Sequence, residues 1–213
     1  MTGRAIDKKT VADRVAEFSE AVHTRLAPEF ERIGRTYPPG RMVLVGLKQE
    51  KVLEVWVGDD SAEFRLLKSY PILAASGTLG PKLREGDRQV PEGLYRLESL
   101  NPNSAYHLSL RLNYPNEFDR RMAAAESRAA LGSDIMIHGS DRSIGCLALG
   151  DQAAEDLFVL AAETGLSNIS VILTPMDFRR RGLPRDLPGT PAWTAQLYES
   201  IRAELIKLGG AAR

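Results

Sequence analysis

The sequence predicts an α+β protein, in which a mostly β domain carries flanking helices at both termini. Two changes in the spacing of apolar residues support this. Across residues 11–33 the apolar residues recur every three or four positions, which indicates an amphipathic helix. From Met42 onward they alternate or form short β-branched runs, as in strands, and helical spacing returns near the C-terminus. We therefore divide the chain into a helical segment over 1–36, a β-rich domain over 41–180 and a C-terminal helix packed on it within 181–213.

Length and composition exclude several classes of protein. The chain of 213 residues suits one domain with an appendage. Lysine plus arginine and aspartate plus glutamate both number 28, so the formal charge is zero and no nucleic-acid partner is indicated. A single cysteine excludes an intrachain disulfide. The first residues lack the apolar core of a signal peptide, and no later stretch is long and apolar enough to span a bilayer.

The first helix is expected to begin near Val11 and to end at Gly34, since glycine favours a helix stop. Pro28 is expected to kink this helix or split it in two, because proline lacks a backbone N–H. His23 lies beside the apolar stripe and is predicted to be a surface residue. We expect the helix to pack on the flank of the β-rich domain. A docking surface for a partner or a membrane-proximal anchor is the alternative.

The β-rich domain begins with a predicted hairpin, whose strands cover residues 42–45 and 51–57. Residues 64–75 favour one or two more strands, with Pro71 at an edge or a bulge. Residues 76–93 are rich in glycine, proline and charge and predict a long loop. Such a loop in a compact domain is commonly functional, and a plain surface crossover fits the pattern equally well.

The second half alternates short strands with helices. Strict alternation over 106–113 predicts a strand with Tyr106 on the apolar face beside three leucines, and with His107 on the opposite face. The other predicted elements are strands at 94–97, 135–137 (the central strand) and 169–173, and helices at 122–130, at 151–164 with Asp151 as N-cap, and from Thr190-Pro191 to Gly209-Gly210. The arginines at 179–181 favour a solvated basic cluster, with binding of an acidic ligand as the alternative.

The candidate functional stretch runs over 135–146 and holds the only cysteine and one of three histidines. His138 follows a buried strand, and a loop that folds back would bring its imidazole within hydrogen-bond reach of Cys146. An imidazole can take the thiol proton and later return it to a leaving amine. The small Gly145 leaves backbone N–H groups free to hold an oxyanion. His107 is the rival base, a buried structural cysteine is the plain alternative, and no ligand cluster for a metal is visible.

The motif His138-Gly139-x-x-x-Ser143-x-Gly145-Cys146 resembles the active-site motif of the L,D-transpeptidase catalytic domain family, the YkuD-type domain, and more closely its YafK-like branch. Three further stretches match that branch in the family's order. They are Ser76 to Lys82, then Gly86-Asp87 with Pro91 to Tyr95, then Tyr114 to Arg120. Together the matches extend over about residues 41–180, and they imply the fold of that family.

The resemblance also implies a role for each matched residue. Cys146 would be the nucleophile, His138 the general base and then acid, Gly139 the carbonyl that orients the histidine ring, Gly145 part of the oxyanion backbone, and Ser143 a loop-shaping residue. Candidate substrate contacts are the cations Lys82 and Arg84 (with Arg88) in the long loop and Arg142, since cationic donors pair well with carboxylates, together with Tyr114. Many family members carry an arginine where this chain has Ala148, which weakens transfer of that contact. No metal or cofactor is implied.

The implied substrate is peptidoglycan, with acyl transfer through a Cys146 thioester at L,D amide bonds of diaminopimelate-containing stem peptides. One alternative is an amidase or hydrolase that releases a protein, such as a wall-attached lipoprotein, from diaminopimelate. Another is a non-catalytic wall-binding module, which labelling of the thiol by a carbapenem would exclude. Because the family works outside the cytoplasmic membrane, we expect a periplasmic protein whose export signal has been trimmed from this sequence.

Overall fold

A computed structural model describes residues 8–59, 63–143, 145–184 and 188–209. The strands in these ranges are β1 (Arg41–Leu47), β2 (Val52–Gly58), β3 (Arg65–Pro71), β4 (Gly93–Ser104), β5 (His107–Leu112), β6 (Met136–His138), β7 (Leu147–Ala148) and β8 (Ile169–Thr174). The helices are α1 (Val11–Ile33), α2 (Glu117–Ala125), α3 (Asp151–Thr164) and α4 (Thr194–Lys207), with a 3₁₀ turn at Leu166–Asn168.

The strands form one mixed sheet in the order β3-β2-β1-β8-β4-β5-β6-β7. The β1–β2 hairpin predicted from the sequence is confirmed, and Pro71 lies at the end of the edge strand β3. The last strand in the chain, β8, lies in the middle of the sheet and runs parallel to β1. A mixed sheet with flanking helices confirms the predicted α+β class. The strand that ends at His138 was expected to be central, but it lies next to the edge strand β7.

The sheet is covered on both faces by helices. Apolar residues of α1 and α3, among them Val22, Leu26 and Phe158, share one core cluster with residues of most of the strands. The apolar side of α4 forms a second cluster with Val43 and Ile172 on β1 and β8. The amphipathic pattern of the terminal helices is therefore explained by burial against the sheet.

Helix α1 is a single helix, and Pro28 lies inside it without dividing it. A capping box between Thr10 and Asp13 satisfies its first N–H groups, and Gly34 ends it in the left-handed conformation at φ 63°. Its basic and imidazole side chains meet α3, where Arg25 pairs with Asp156 and His23 lies 3.0 Å from Glu163. His23 is exposed as predicted, although it is not without a partner.

Several predicted boundaries were wrong, for local physical reasons. Strand β4 extends seven residues beyond the predicted end, because its polar second half is paired with β5 through register shifts. Helix α2 begins at Glu117, where Asn116 forms a capping box, and not at 122. Helix α4 begins at Thr194, since the Thr190-Pro191 pair forms a turn instead, and of its predicted stop Gly209-Gly210 the second residue lies outside the described residues. None of the helices within the described ranges has the length and apolarity needed to cross a membrane.

Candidate active site

His138 is the last residue of β6 and is almost completely buried. Its Nδ1 lies 2.6 Å from the carbonyl oxygen of Gly139. Because a carbonyl oxygen can only accept, Nδ1 carries the proton and Nε2 keeps its lone pair. The ring of Tyr106 stacks on the imidazole, with ring centroids 4.6 Å apart and an interplanar angle of 28°. The histidine ring is thus held in one orientation, with the nitrogen of a base free.

The surroundings of His138 also favour its neutral form. Burial lowers the pKa of the imidazole below its usual value, and the bond to the Gly139 carbonyl opposes this only in part. At neutral pH the ring is therefore an uncharged base. Tyr106, predicted to lie on the apolar face of a strand, instead lies in the turn before β5 and is 45% exposed. Tyr106 continues the apolar alternation of the strand that follows, and this pattern concealed its contact with the histidine.

Cys146 directly precedes β7, and β7 is the parallel neighbour of β6. In this register His138 lies opposite Ala148. Cys146 comes two residues before Ala148, just outside β7. The backbone of Cys146 therefore lies at the start of the strand that neighbours β6, the strand of His138. The sequence expectation that a folded-back loop brings the imidazole within hydrogen-bond reach of the thiol stays a prediction.

The two side chains are not hydrogen-bonded to each other in this conformation. Cys146 is partly exposed, and its sulfur lies 3.5 Å from the carbonyl oxygen of Asp134. The hydrogen bonds among the described residues include none between this sulfur and the His138 ring. Catalytic hydrogen bonds are often loose before substrate binds.

The Cys146 thiol is not activated by its resting surroundings. Burial raises its pKa, and the nearby Asp134 carboxylate acts in the same direction. The Met136 N–H and the Lys82 ammonium lower the pKa but do not outweigh burial. The thiol is therefore protonated at neutral pH, and a nucleophilic role requires a neighbouring base to remove its proton.

Two serine hydroxyls hold the backbone on either side of the nucleophile. The Ser143 hydroxyl accepts from the Cys146 N–H at 3.0 Å and donates to the Cys146 carbonyl at 2.6 Å. The Ser76 hydroxyl accepts from the Gly145 N–H at 2.6 Å. The role of the Gly145 and Cys146 N–H groups in holding an oxyanion stays a prediction, and in this conformation serine oxygens accept from both. An oxyanion must share these two N–H groups with the serine oxygens or displace them.

Helix α3 supports the loop that follows His138. Asp151 was expected to cap this helix, but Gly150 is the N-cap. Asp151 is the first helical residue, and its Oδ1 accepts from the Ser140 N–H at 2.7 Å. Gly139 fits closely in this contact, because a Cβ there would lie 2.6 Å from Asp151 Oδ1 and 2.8 Å from the Tyr106 carbonyl oxygen. The close fit explains why glycine stands beside the histidine.

The rival histidine occupies a different environment. His107 Nε2 lies 3.0 Å from a carboxylate oxygen of Glu155 on α3, and its ring meets Phe18 of α1 edge-on. Its contacts connect helices α1 and α3 with β5. The structure therefore brings His138, and not His107, to the strand beside Cys146.

The candidate substrate contacts in the long loop are used in different ways. Lys82 is 7% exposed, and its ammonium is bound to the carboxylate of Asp87 and the carbonyl of Arg84. Arg84 is exposed and lines a cavity of about 460 Å³ between this loop and the segment before α4. Of these two cations, Arg84 is the one that a ligand can reach.

The remaining two candidates also differ. Arg142 is exposed in the loop between His138 and Cys146. Tyr114 is 3% exposed, and its hydroxyl donates to the Leu131 carbonyl at 3.0 Å while its ring packs against Tyr95. Tyr114 therefore has a packing role in this structure, and we assign it no contact with substrate.

A cavity of about 470 Å³ opens beside the nucleophile loop. It is lined by residues 72–79, Lys48, Lys51 and Ser143. Lys48 is buried and donates to Glu92, whereas Lys51 is exposed and makes no ion pair with the described carboxylates. The sequence did not indicate Lys51 as a candidate substrate contact, because an exposed lysine in a hairpin turn is ordinarily just solvated.

The basic cluster at 179–181 is largely neutralised from within the protein. Arg179 is bound by Asp177 and Glu54 and lies over the Trp56 ring, and Arg180 lies near the Asp177 carboxylate. Among the residues that the structure describes, no three histidine, cysteine or acidic side chains are grouped to hold a metal ion.

Comparison with known families identifies the domain that carries this site. The model of the L,D-transpeptidase catalytic domain (YkuD) matches residues 40–191 of the chain. That range contains all the strands of the sheet together with His138 and Cys146.

Two individual relatives match only part of the chain, at 37% identity or less. The chain is 37% identical over 113 residues to "Putative L,D-transpeptidase YafK" of Escherichia coli strain K12, covering 52% of this chain and 43% of that protein. The helical cell shape determining protein Pgp2 of Campylobacter jejuni has a similar fold, with a TM-score of 0.53 at 23% identity over 64% of this chain and 48% of that one. The chain thus spans less than half the length of either relative.

Proposed function

The chain belongs to the L,D-transpeptidase catalytic domain family, and from this premise we propose that it is a peptidoglycan-modifying cysteine enzyme. We propose that it transfers acyl groups at L,D amide bonds of diaminopimelate-containing stem peptides. The observation that carries the proposal is the state of His138 beside the strand of Cys146. Its Nδ1 is bonded to the Gly139 carbonyl, and its Nε2 remains able to accept a proton.

In the proposed reaction the Cys146 thiol gives its proton to Nε2 of His138 as the sulfur attacks the amide carbonyl carbon. The tetrahedral oxyanion forms near the N–H groups of Gly145 and Cys146. The C–N bond then breaks, His138 returns the proton to the departing amine, and a thioester to Cys146 remains. The neutral, oriented imidazole supports this sequence, because it can accept one proton and later donate the same one.

The acceptor of the acyl group decides the overall reaction. Attack on the thioester by an amine of a second stem peptide gives a transpeptidase, and attack by water gives a hydrolase. We propose that stem peptides approach through the 470 Å³ cavity lined by Ser143, with Lys51 available to a substrate carboxylate. Because peptidoglycan lies outside the cytoplasmic membrane, the proposed place of action is the periplasm.

The experiment that tests the proposal supplies both classes of substrate. The protein is incubated with cross-linked muropeptides and, separately, with a muropeptide that carries a diaminopimelate-linked protein fragment, and the products are weighed by mass spectrometry. We expect exchange of stem peptides and a thioester adduct on Cys146, both of which the Cys146→Ala variant must lose. Release of the fragment by water alone would assign an amidase instead. Full turnover by Cys146→Ala would overturn the mechanism.

A further inference from the structure

The hydroxyl of Ser76 connects two segments that are distant in sequence. It accepts from the Gly145 N–H at 2.6 Å and donates to the Arg88 carbonyl at 2.7 Å. Gly145 precedes the nucleophile and has a φ of 86°, a conformation that glycine adopts without steric penalty. A hydroxyl that donates to a carbonyl is also a better acceptor. Ser76 thus binds the backbone immediately before Cys146 through a polarised oxygen.

The long loop that carries Ser76 is held in place by hydrogen bonds of two buried side chains, Gln89 and Glu92. The Gln89 side chain, 8% exposed, bonds the backbone of both Thr78 and Gly80. Glu92, 1% exposed, accepts from the Gly80 N–H, from Lys48 and from Tyr198 of α4. Buried polar groups that are all satisfied make such a segment rigid. The loop is therefore built as a support and not as a mobile lid.

The same loop is joined to the strand of the nucleophile just before Ser76. Ala74 forms an antiparallel bridge with Ala148 of β7, in which the Ala148 N–H donates to the Ala74 carbonyl at 3.0 Å. Ser76 then reaches Gly145 on the other side of Cys146. Cys146 consequently lies between two attachments of its backbone to one rigid loop.

From this geometry we propose that Ser76 is a positioning residue for Cys146. The inference rests on the proposed function and deepens it. By holding the Gly145 N–H, Ser76 fixes the peptide planes that aim the sulfur and the neighbouring N–H groups at the carbonyl under attack. Small misplacements of reacting groups cost large factors in rate. The hydroxyl acts through the backbone of Gly145 and touches no reacting atom.

Two reactions of the same thiol separate positioning from a structural role. Acylation by a carbapenem passes through a tetrahedral oxyanion, whereas alkylation by iodoacetamide is a displacement that depends mainly on the amount of thiolate. Both rates are measured at one pH for the wild type and for Ser76→Ala, Ser76→Val and Ser76→Thr. Valine and threonine have the same shape, and only threonine keeps the hydroxyl. Ser200→Ala removes an exposed hydroxyl on α4 that donates to the Gln196 carbonyl and serves as the control.

We expect acylation of Ser76→Ala and Ser76→Val to be slower by about tenfold or more, with alkylation unchanged within about twofold. Ser76→Thr and Ser200→Ala should acylate like the wild type. The inference is overturned if all variants acylate equally, or if Ser76→Ala and Ser76→Val acylate faster, since Ser76 would then compete with the oxyanion for the Gly145 N–H. It is also overturned if alkylation falls together with acylation, or if the valine variant loses the circular dichroism of the folded protein, since the role would then be structural. A wild-type protein that no carbapenem acylates would instead count against the proposed function.

Discussion

The Nδ1 of His138 and the carbonyl oxygen of Gly139 lie 2.6 Å apart, so the histidine is oriented by the residue next to it. No distant carboxylate is needed to select the tautomer, because the carbonyl accepts the Nδ1 proton. Burial meanwhile lowers the pKa of the ring, and an uncharged imidazole has Nε2 ready for a proton. The backbone at the end of β6 and the burial of the ring thus orient His138 and keep it neutral, as the base of the proposed reaction requires.

The first prediction concerns His138→Gln, which removes the base and keeps a polar side chain of similar size. Acyl transfer should fall by about 10²- to 10⁴-fold, as measured by product formation from muropeptides. The same substitution at His107, which binds Glu155, is the control and should leave the rate within a few fold. The assignment of the base would be wrong if the His107 variant were the inactive one.

The first prediction extends to the pH dependence of the wild type, which follows from the lowered pKa of His138. The neutral ring is the active base, so activity is lost only as the pH falls through the pKa of the folded protein. Because burial lowers that pKa, the acidic limb of the rate profile should lie below the ordinary histidine value of 6.5. An acidic limb above 6.5 would indicate a charged partner near the ring.

The second prediction concerns the carboxylate beside the thiol. Asp134 raises the pKa of Cys146, and asparagine tolerates the left-handed backbone found there at φ 58°. Asp134→Asn should lower the thiol pKa and speed alkylation by iodoacetamide at pH 7 by about two- to threefold, since an exposed charge is screened by water.

A matched control for Asp134→Asn is available on the same arginine. Glu98 and Asp134 both pair with Arg111, at 3.0 and 3.2 Å. Glu98→Gln disturbs Arg111 in the same way but is not among the groups that shift the pKa of Cys146. Equal acceleration in both variants would show that Arg111, and not the charge of Asp134, controls the thiol.

The third prediction concerns the close fit of Gly139. In Gly139→Ala the new methyl group would lie 2.8 Å from the backbone oxygen of Tyr106, so the loop after His138 must shift. We expect a loss of about 1–3 kcal/mol in the free energy of unfolding, measured by urea denaturation, together with slower acyl transfer. Gly182→Ala is the control, because no atom of the described residues lies within 4 Å of its Cβ position. Equal stability of the two variants would refute the steric argument.

Local sequence patterns predicted most of the fold, because they record which face of an element is buried. The spacing of apolar residues gave α1 and α3 within a residue or two at each end, and strand alternation gave the β1–β2 hairpin. The same patterns failed where partners distant in sequence decide. The polar second half of β4 is a strand because β5 pairs with it. Asp151 is not the N-cap of α3, and its carboxylate accepts from the Ser140 N–H instead.

The candidate site could be predicted only in part, because several of its contacts join residues that are distant in sequence. The motif identified His138 and Cys146 as candidates, and the structure adds what surrounds them. Contacts such as Ser76 with Gly145, 69 residues apart, and Tyr106 with His138 have no local pattern. The orientation of the Cys146 sulfur toward Asp134 likewise depends on packing between the loop and β6.

The last prediction tests whether the N-terminal helix folds as part of the β-rich domain. Asp156 of α3 is 1% exposed and accepts from Arg25 of α1 at 2.8 Å and from the Tyr70 hydroxyl at 2.9 Å. Asp156→Ala leaves the Tyr70 hydroxyl without its acceptor and leaves Arg25 paired with Glu155 alone, at 3.1 Å, so the free energy of unfolding should fall by about 3 kcal/mol in urea denaturation. Glu163→Ala, which removes the partner of the exposed His23, should cost less than about 1 kcal/mol.

The shape of the unfolding curve completes the test. Because α1 shares its core cluster with the sheet, helix content by circular dichroism and tryptophan fluorescence, from Trp56 of β2 and Trp193 before α4, should change in one transition in the wild type and in Asp156→Ala. The buried pair then stabilises the domain as a whole. An early loss of helix signal in Asp156→Ala, with fluorescence unchanged, would mean that α1 unfolds by itself and that the pair serves only to attach it.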